Sequence, residues 1–212
     1  MTRRIGLLGG TFNPIHLGHL VLAEEARERL RLDEVWFIPV AEPPMKDDPE
    51  LAPAADRLEM VRRAIIGHPA FRASDIEIRR GGKSYTIDTL RELRRCYGTR
   101  CEFVFIVGSD ACRQLAAWKG YPALLRCCRF VIAHRLGFRP TRLPQGVRAL
   151  DIPALDISAT DIRRRIAHGR SIRHLVPERV RSYIAARRLY AVHGAGYMVH
   201  GTAKNKSKTR SC

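Results

Sequence analysis

A segment near the N-terminus, at 9–19, has the residue types needed to bind phosphate. It follows an apolar run and precedes an amphipathic one, so we predict that it connects a strand to a helix. Its two adjacent glycines let a phosphate approach the backbone closely, and the start of the helix offers free N–H groups and the positive end of the helix dipole. His16 and His19 are three residues apart, so both imidazoles can lie on one face and donate hydrogen bonds to phosphate oxygens.

A second segment, at 157–163, combines two hydroxyl side chains with an arginine. It also precedes a predicted helix, which Ser158 or Thr160 can cap while N–H groups remain for an anion. Arg163 lies on the first turn and can present its guanidinium as a fork of donors. Ordinary helix capping would explain the two hydroxyls alone, so the prediction of a phosphate site rests on both segments together.

Three further features are weaker. Polar residues at 82–90 precede a predicted helix, Gly108 and Asp110 follow a predicted strand with Trp118 eight residues after Asp110, and Lys46 ends the sequence P-P-M-K after another strand. Each has a simpler explanation on its own, namely helix capping, a tryptophan in the core and a solvated lysine. Most of them, however, come directly after a predicted strand or before a predicted helix.

The elements that must position these residues follow from the alternation of apolar runs with amphipathic stretches. We predict strands at 5–8, 35–40, 71–78, 103–107, 130–133 and 149–152, and helices at 20–30, 54–66, 88–96, 159–167 and 177–187. This order predicts an α/β fold, a Rossmann-like parallel sheet with flanking helices and a small C-terminal helical part. Ligands of such sheets bind at the carboxyl ends of the strands, near the point where the strand order reverses.

Length and composition fit one globular domain. The chain has 212 residues, 45% of them hydrophobic, and we place the domain at 1–190, followed by a basic tail at 191–212 that we expect to be disordered. No apolar run approaches the ~18 residues that span a membrane, and the N-terminus lacks the apolar core of a signal peptide. None of the six cysteines forms a C-x-x-C pair, so we expect neither a zinc site nor a disulfide framework, and a cytoplasmic location fits best.

The segments at 9–19 and 157–163 resemble the phosphate-binding motifs of the nucleotidyltransferases with a T/H-x-G-H motif. Within that superfamily the chain is most similar to the bacterial nicotinate-mononucleotide adenylyltransferases, from about Arg4 to Tyr190. The resemblance implies that ATP and nicotinate mononucleotide are the substrates and that Mg²⁺ binds mainly through the ATP phosphates, with no protein metal site. It implies catalytic roles for His16, His19 and Lys46. It implies ATP contacts from Gly9, Gly10, Thr11, Phe12, His16, His19, Ser158, Thr160 and Arg163.

The weaker features resemble substrate-binding segments of the same family. The segment at 82–90 is similar to its G-x-S-Y-T-x-D-T motif, in which the backbone and the hydroxyl at the position of Thr86 face the nicotinate carboxylate. Trp118 would then stack on the pyridine ring. The resemblance assigns the mononucleotide to Asn13, Ser84, Tyr85, Thr86, Asp110, Trp118 and Arg135. The chain departs from the family pattern at Asn13, Met45 and Ala159, where Asp, His and Ser are usual.

Other interpretations stay open. An adenylyltransferase acting on pantetheine phosphate, or a cytidylyltransferase, would share the phosphate motifs, although the segment at 84–90 and Trp118 argue against it. The net charge of +17 would suit a nucleic-acid-binding module, but the sequence has no aromatic-rich basic strand or known nucleic-acid motif. The absence of G-x-x-x-x-G-K-[ST] argues against a P-loop enzyme. The sequence predicts no membrane partner and does not indicate an oligomeric state.

Overall fold

A parallel sheet of six strands forms the centre of the molecule in the computed structural model. The structure describes residues 2–44, 48–108, 115–135, 143, 146–153 and 155–191, except for the side chain of Arg135. The strands are β1 (Arg3–Gly10), β2 (Glu34–Pro39), β3 (Phe71–Ala73), β4 (Cys101–Gly108), β5 (Arg129–Arg135) and β6 (Val147–Ile152). Their order across the sheet is β3-β2-β1-β4-β5-β6, and every neighbouring pair is parallel. The predicted Rossmann-like fold is therefore confirmed.

Seven α-helices connect or follow these strands within the described residues. They are α1 (Leu17–Arg29), α2 (Ala54–Ala64), α3 (Ile76–Arg80), α4 (Thr86–Tyr97), α5 (Tyr121–Cys127), α6 (Ala159–Ala167) and α7 (Glu178–Arg187), with short 3₁₀ turns at Gly98–Arg100 and Leu115–Ala117. In the described part of the chain, none of them has the length and apolarity that a membrane crossing requires.

The chain moves outward from β1 in both directions, and this order fixes where a ligand can bind. β2 and β3 lie on one side of β1, while β4, β5 and β6 lie on the other. The loops that leave β1 and β4 therefore diverge to opposite faces of the sheet and open a crevice between them. Two separate clusters of buried apolar side chains, one containing Leu8 and Val104 and the other Leu7 and Phe105, complete the core.

Close packing of α1 and its connecting turn on β1 requires a glycine in the strand. A Cβ atom at Gly6 would lie 2.7 Å from the Leu32 side chain and 3.0 Å from that of Ile106. Both neighbours belong to the core, so a larger residue at this position would push β1 away from β4 and from the turn after α1, and would distort the crevice.

Two elements differ from the sequence predictions. The strand predicted at 71–78 ends at Ala73, and α3 begins at Ile76 after Ser74 and Asp75. Serine and aspartate favour turns and helix starts, and this preference outweighed the apolar alternation that follows. Helix α5 was not predicted, because its seven residues are too few to show a helical period.

Candidate active site

Two cavities open at the carboxyl ends of the strands and share a wall. The larger has a volume of about 780 Å³ and lies between the starts of α1 and α6. The smaller has a volume of about 460 Å³ and lies beside the start of α4. Thr11, directly after β1, and Gly108, the last residue of β4, line both cavities. The point where the two meet is thus the point where the strand order reverses, as the sequence predicted.

The two histidines of the first segment lie together in the larger cavity. His16 is the N-cap residue of α1, and its ring centroid lies 3.8 Å from that of His19. The backbone N–H of His16 donates to Nδ1 of His19 at 3.2 Å. Since Nδ1 accepts this bond, the proton of a neutral His19 ring must be on Nε2. His19 thereby keeps a fixed N–H donor for a ligand.

Gly18 leaves room for this arrangement. A Cβ atom at this position would lie 3.1 Å from two atoms of the His16 ring. A side chain there would press on the imidazole of the N-cap residue His16, so the glycine between the two histidines has a steric function.

Burial keeps both imidazoles neutral at pH 7. It lowers the pKa of His16 from 6.5 to about 4. The pKa of His19 is also well below its usual range, first because of burial and second because of the neighbouring His16. Neutral rings can donate hydrogen bonds to phosphate oxygens without adding a charge of their own. Nδ1 of His16 is buried and has no hydrogen-bond partner among the described residues.

The second segment lines the larger cavity together with the two histidines. Ser158 caps α6, where its hydroxyl oxygen accepts from the backbone N–H of Asp161 at 3.0 Å. Arg163, whose side chain is only 11% exposed, binds Glu50 with Nε at 2.9 Å and the carbonyl oxygen of Asn13 with Nη1 at 3.0 Å. Its guanidinium is therefore held in place at the cavity wall before any ligand arrives.

Asn13 lines the larger cavity but uses its side chain to hold the loop. Its Oδ1 accepts from the backbone N–H of Ala52 at 3.0 Å and from the hydroxyl of Tyr190 at 2.8 Å. Its Nδ2 donates to the carbonyl oxygen of Glu50 at 3.1 Å. This residue thus connects the loop after β1 to the segment before α2 and to the C-terminal end of the described chain.

The smaller cavity combines aromatic rings with the start of a helix. Tyr85 is the N-cap residue of α4, and Thr86 is its first residue. Trp118 packs edge-on against Phe105 of β4, with ring centroids 6.1 Å apart. Lys119 closes one side, with Nζ 4.3 Å from the centre of the Tyr85 ring and 3.3 Å from the Asp88 carboxylate. An aromatic, partly apolar pocket with free N–H groups at one end suits a flat ring that carries a negative charge.

Ser84 connects this cavity to the loop after β2, and Glu77 is a buried carboxyl group that also lines it. The hydroxyl oxygen of Ser84 accepts from the backbone N–H of Ala41 at 2.9 Å. Glu77 is buried and accepts from the hydroxyl of Thr89 at 2.6 Å. Burial raises the pKa of Glu77, while its hydrogen bonds to Thr89 and Ser84 act in the opposite direction.

The structure brings most of the predicted site residues to the two cavities. Those that line the larger one are Thr11, Phe12, Asn13, His16, His19, Ser158, Thr160 and Arg163. Those that line the smaller one are Gly9, Gly10, Thr11, Ser84, Tyr85, Thr86 and Trp118. The two glycines, predicted for ATP, thus lie on the wall of the smaller cavity. Lys46, Asp110 and the side chain of Arg135 lie outside the described part of the structure.

Sequence reasoning missed Lys119, Glu77 and Arg57. Lys119 could have been predicted because it directly follows Trp118. Glu77 was assigned to a strand, whereas it lies in α3. Arg57 lies on α2 and looks like one charge among several on a wet helix face, yet its side chain is completely buried. No local pattern distinguishes a buried arginine from a solvated one.

Residues 7–165 match the model of a protein family described as cytidylyltransferase-like. A protein of Exiguobacterium sibiricum named "Probable nicotinate-nucleotide adenylyltransferase" is 47% identical over 190 residues, which cover 89% of this chain and 99% of that protein. A protein of Dehalococcoides mccartyi with the same name is 44% identical over 197 residues, covering 88% of this chain and 97% of its own length.

Solved structures share the fold at lower sequence identity. One is a nicotinic acid mononucleotide adenylyltransferase of Plasmodium falciparum complexed with NaAD, with a TM-score of 0.75 and 20% identity over 89% of this chain and 97% of that chain. Another structure of that enzyme, complexed with APC, has a TM-score of 0.72 and 19% identity, with the same coverage.

Proposed function

The chain belongs to the cytidylyltransferase-like family and, within it, to the nicotinate-nucleotide adenylyltransferases, and from this premise we propose how its two cavities divide the substrates. Enzymes of this kind transfer AMP from ATP to nicotinate mononucleotide, a step of NAD biosynthesis that yields nicotinate adenine dinucleotide and pyrophosphate. We assign ATP to the larger cavity and the mononucleotide to the smaller one. The shared wall at Thr11 and Gly108 carries this proposal, because two substrates that react through their phosphates must meet at one point.

The larger cavity has the donors that a triphosphate needs. The starts of α1 and α6 both line it, so two sets of free N–H groups and two positive helix ends converge there. Nε2–H of His19 and the guanidinium of Arg163 add directed donors. Lys46 is proposed to complete this set from the loop after β2.

The reaction needs no nucleophile from the protein. A 5′-phosphate oxygen of nicotinate mononucleotide forms a bond to the α-phosphorus of ATP, and the bond from that phosphorus to the oxygen bridging to the β-phosphate breaks. Pyrophosphate leaves with the electron pair of that bond. The protein therefore contributes mainly by aligning the two phosphates and by stabilising negative charge that grows on the leaving group.

The donor set fits a Mg²⁺ ion that arrives with ATP. Among the described residues, no three histidine, cysteine or acidic side chains form a metal-binding group. Asp48 is the one carboxylate among the described residues that line the larger cavity, and Mg²⁺ commonly combines one or two carboxylates with substrate phosphates. When bound, the ion would neutralise charge on the triphosphate.

The smaller cavity supports a preference for the acid form of the mononucleotide. We propose that Trp118 stacks on the pyridine ring and that Thr86, with the free N–H groups at the start of α4, faces the carboxylate. Ser84 and Tyr85 shape the wall beside it, and Asp110 and Arg135 are proposed to contact the rest of the mononucleotide. Asn13, which the resemblance assigned to the mononucleotide, lines the larger cavity, and we propose that it acts through the loop it holds.

A panel of acceptors tests the proposed function. Pyrophosphate release from ATP is measured with nicotinate mononucleotide, nicotinamide mononucleotide and pantetheine phosphate, and with CTP in place of ATP. We expect the highest kcat/KM for ATP with nicotinate mononucleotide. Faster release with pantetheine phosphate or with CTP would contradict the assignment of the smaller cavity or the larger one, respectively.

A further inference from the structure

We propose that Arg57 is a positioning residue for adenylyl transfer, which sets the distance between the loop after β1 and the loop after β2 from beneath the active site. The inference rests on the proposed function, since it concerns the same two cavities. Arg57 belongs to α2 and is not itself a lining residue of either cavity.

The guanidinium of Arg57 connects three parts of the chain that are distant in sequence. Nη1 donates to the carbonyl oxygen of Thr11, Nη2 to that of Ala41 and Nε to that of Ala52, each at 2.9 Å. The side chain is 0% exposed. Because a guanidinium is rigid and planar, these three bonds fix the relative positions of the three carbonyl groups.

A buried arginine normally needs a carboxylate partner, and Arg57 does not use one in the described part of the chain. All its hydrogen bonds there end on main-chain oxygens. The adjacent Asp56 is engaged elsewhere, where it accepts from the Tyr183 hydroxyl at 2.7 Å and from Nε of Arg187 at 3.2 Å. Burial lowers the pKa of Arg57, but an arginine side chain stays protonated in proteins. A positive charge is thus held in the interior by hydrogen bonds to three carbonyl dipoles.

The position of this charge relates it to both substrates. Thr11, bound by Nη1, lines both cavities at the point where the phosphates are proposed to meet. Ala41, bound by Nη2, also donates its N–H to Ser84 on the wall of the smaller cavity. One guanidinium therefore aligns a residue of the shared wall with a residue that supports the mononucleotide site, and its charge attracts phosphates through a poorly screening interior.

Three variants separate the charge of Arg57 from its geometry. Arg57→Lys keeps the charge but loses the fork, Arg57→Met removes both, and Arg62→Met is the matched control because Arg62 lies on the same helix with an exposed side chain. We expect kcat to fall by about 10²-fold in Arg57→Met, the scale of a small misplacement of reacting groups. Arg57→Lys should recover part of kcat, and Arg62→Met should match the wild type.

Chemical rescue provides the readout that a purely structural role would not move. In Arg57→Ala, guanidinium ion at low millimolar concentration, far below denaturing levels, should raise kcat by about 10-fold, whereas the same concentration of sodium ion should not. Folding is checked by circular dichroism, and rates are expressed per folded molecule. If Arg57→Met does not fold, Arg57→Lys and the rescue of Arg57→Ala carry the test.

Normal kcat and KM for both substrates in folded Arg57→Met would overturn the inference, as would rescue by sodium to the same extent as by guanidinium. The outcome is distinct from failure of the proposed function, because that failure would show as a wild-type enzyme unable to release pyrophosphate with nicotinate mononucleotide. In that case the affinity for ATP, measured by calorimetry, still shows whether Arg57→Met weakens ATP binding and Arg62→Met does not.

Discussion

At the scale of single residues, the active site depends on side chains whose protonation or orientation is fixed by their neighbours. The bond from the His16 backbone to Nδ1 of His19 selects one tautomer, and burial lowers the pKa of both rings. The chain thus presents a neutral donor at the place where we propose that a phosphate binds. The tautomer of His19 could not be predicted from the residue types alone, because it depends on the hydrogen bond of 3.2 Å from the His16 backbone.

Replacing His19 by alanine should leave the fold intact and reduce kcat by ~10²–10³-fold, the scale for losing one donor to a developing charge. The physical reason is the loss of Nε2–H from the wall of the ATP cavity. His168→Ala is the matched control, because His168 is exposed at the end of α6. Near-normal turnover of a folded His19→Ala enzyme would refute the role.

The buried His16 should make the protein less stable as the pH falls. In the unfolded chain its pKa is close to 6.5, and in the folded chain it is about 4, so between these values the unfolded state binds more protons. The free energy of unfolding should therefore decrease from pH 6.5 to pH 4, and this pKa difference of His16 corresponds to about 3 kcal/mol.

Urea unfolding of wild type and His16→Asn across this range measures the effect, and asparagine is chosen because it is a favoured N-cap residue. The variant should lose less stability between pH 6.5 and 4 than the wild type does. Parallel curves for the two proteins would contradict the expectation.

At the scale of elements, we propose that three helix starts supply N–H groups to the site and that the start of α4 sets the preference between mononucleotides. Nicotinamide mononucleotide brings an N–H₂ donor to a place where Thr86 and the start of α4 present donors. Opposed donors stay unpaired, at a cost of ~1–3 kcal/mol per group. We expect the wild type to prefer the acid by about tenfold to a hundredfold.

Ratios of kcat/KM for the acid and the amide test this in wild type, Thr86→Ala and Trp118→Ala. Thr86→Ala should narrow the preference, because it removes a donor that binds a charged carboxylate oxygen more strongly than the neutral carbonyl oxygen of the amide. Trp118→Ala should weaken both substrates without reversing the order, since stacking supports either ring. Equal use of acid and amide by the wild type would be incompatible with the assigned role of α4.

The strands and helices also show which features of the fold could be predicted from the sequence. Apolar runs predicted the six strand positions, because buried parallel strands have a strong local signal. Where β3 ends was not predictable from alternation, since Ile76 and Ile78 continue the strand pattern but begin α3. The burial of Arg57 was not predictable for a different reason. Arg57 is buried by its contacts with Thr11, Ala41 and Ala52, which are too far apart in the sequence to form a local pattern.

At the scale of the whole molecule, the C-terminal end of the described chain supports the active site. Tyr190 donates to Asn13, and α7 contacts α2 through the bonds of Tyr183 and Arg187 to Asp56. The end of the described chain therefore helps to hold the loop after β1 in place. The basic segment at 192–212 lies outside the described residues.

Two truncations locate the functional end of the chain. A protein ending at Val192 should keep full activity, because every described contact to the phosphate loop is retained. A protein ending at Arg188 lacks Tyr190 and should be less stable by about 1 kcal/mol for the lost hydrogen bond alone, with reduced ATP affinity. Thermal unfolding and KM for ATP measure both, and a large loss of activity on ending at Val192 would assign the tail to the site or to an interface.

The shared wall between the two cavities has a consequence for the product. Nicotinate adenine dinucleotide contains both nucleotide halves, so it can occupy the two cavities at once, and each half holds the other at a high effective concentration. Such a bivalent ligand can bind about 10²–10⁴-fold more tightly than either half alone. The dinucleotide would then be released only when both halves dissociate together. Product release, and not bond formation, would limit the rate of turnover. Calorimetric displacement of the bound dinucleotide by AMP, and separately by nicotinate mononucleotide, tests this, and displacement by only one of them would show that the product occupies a single cavity.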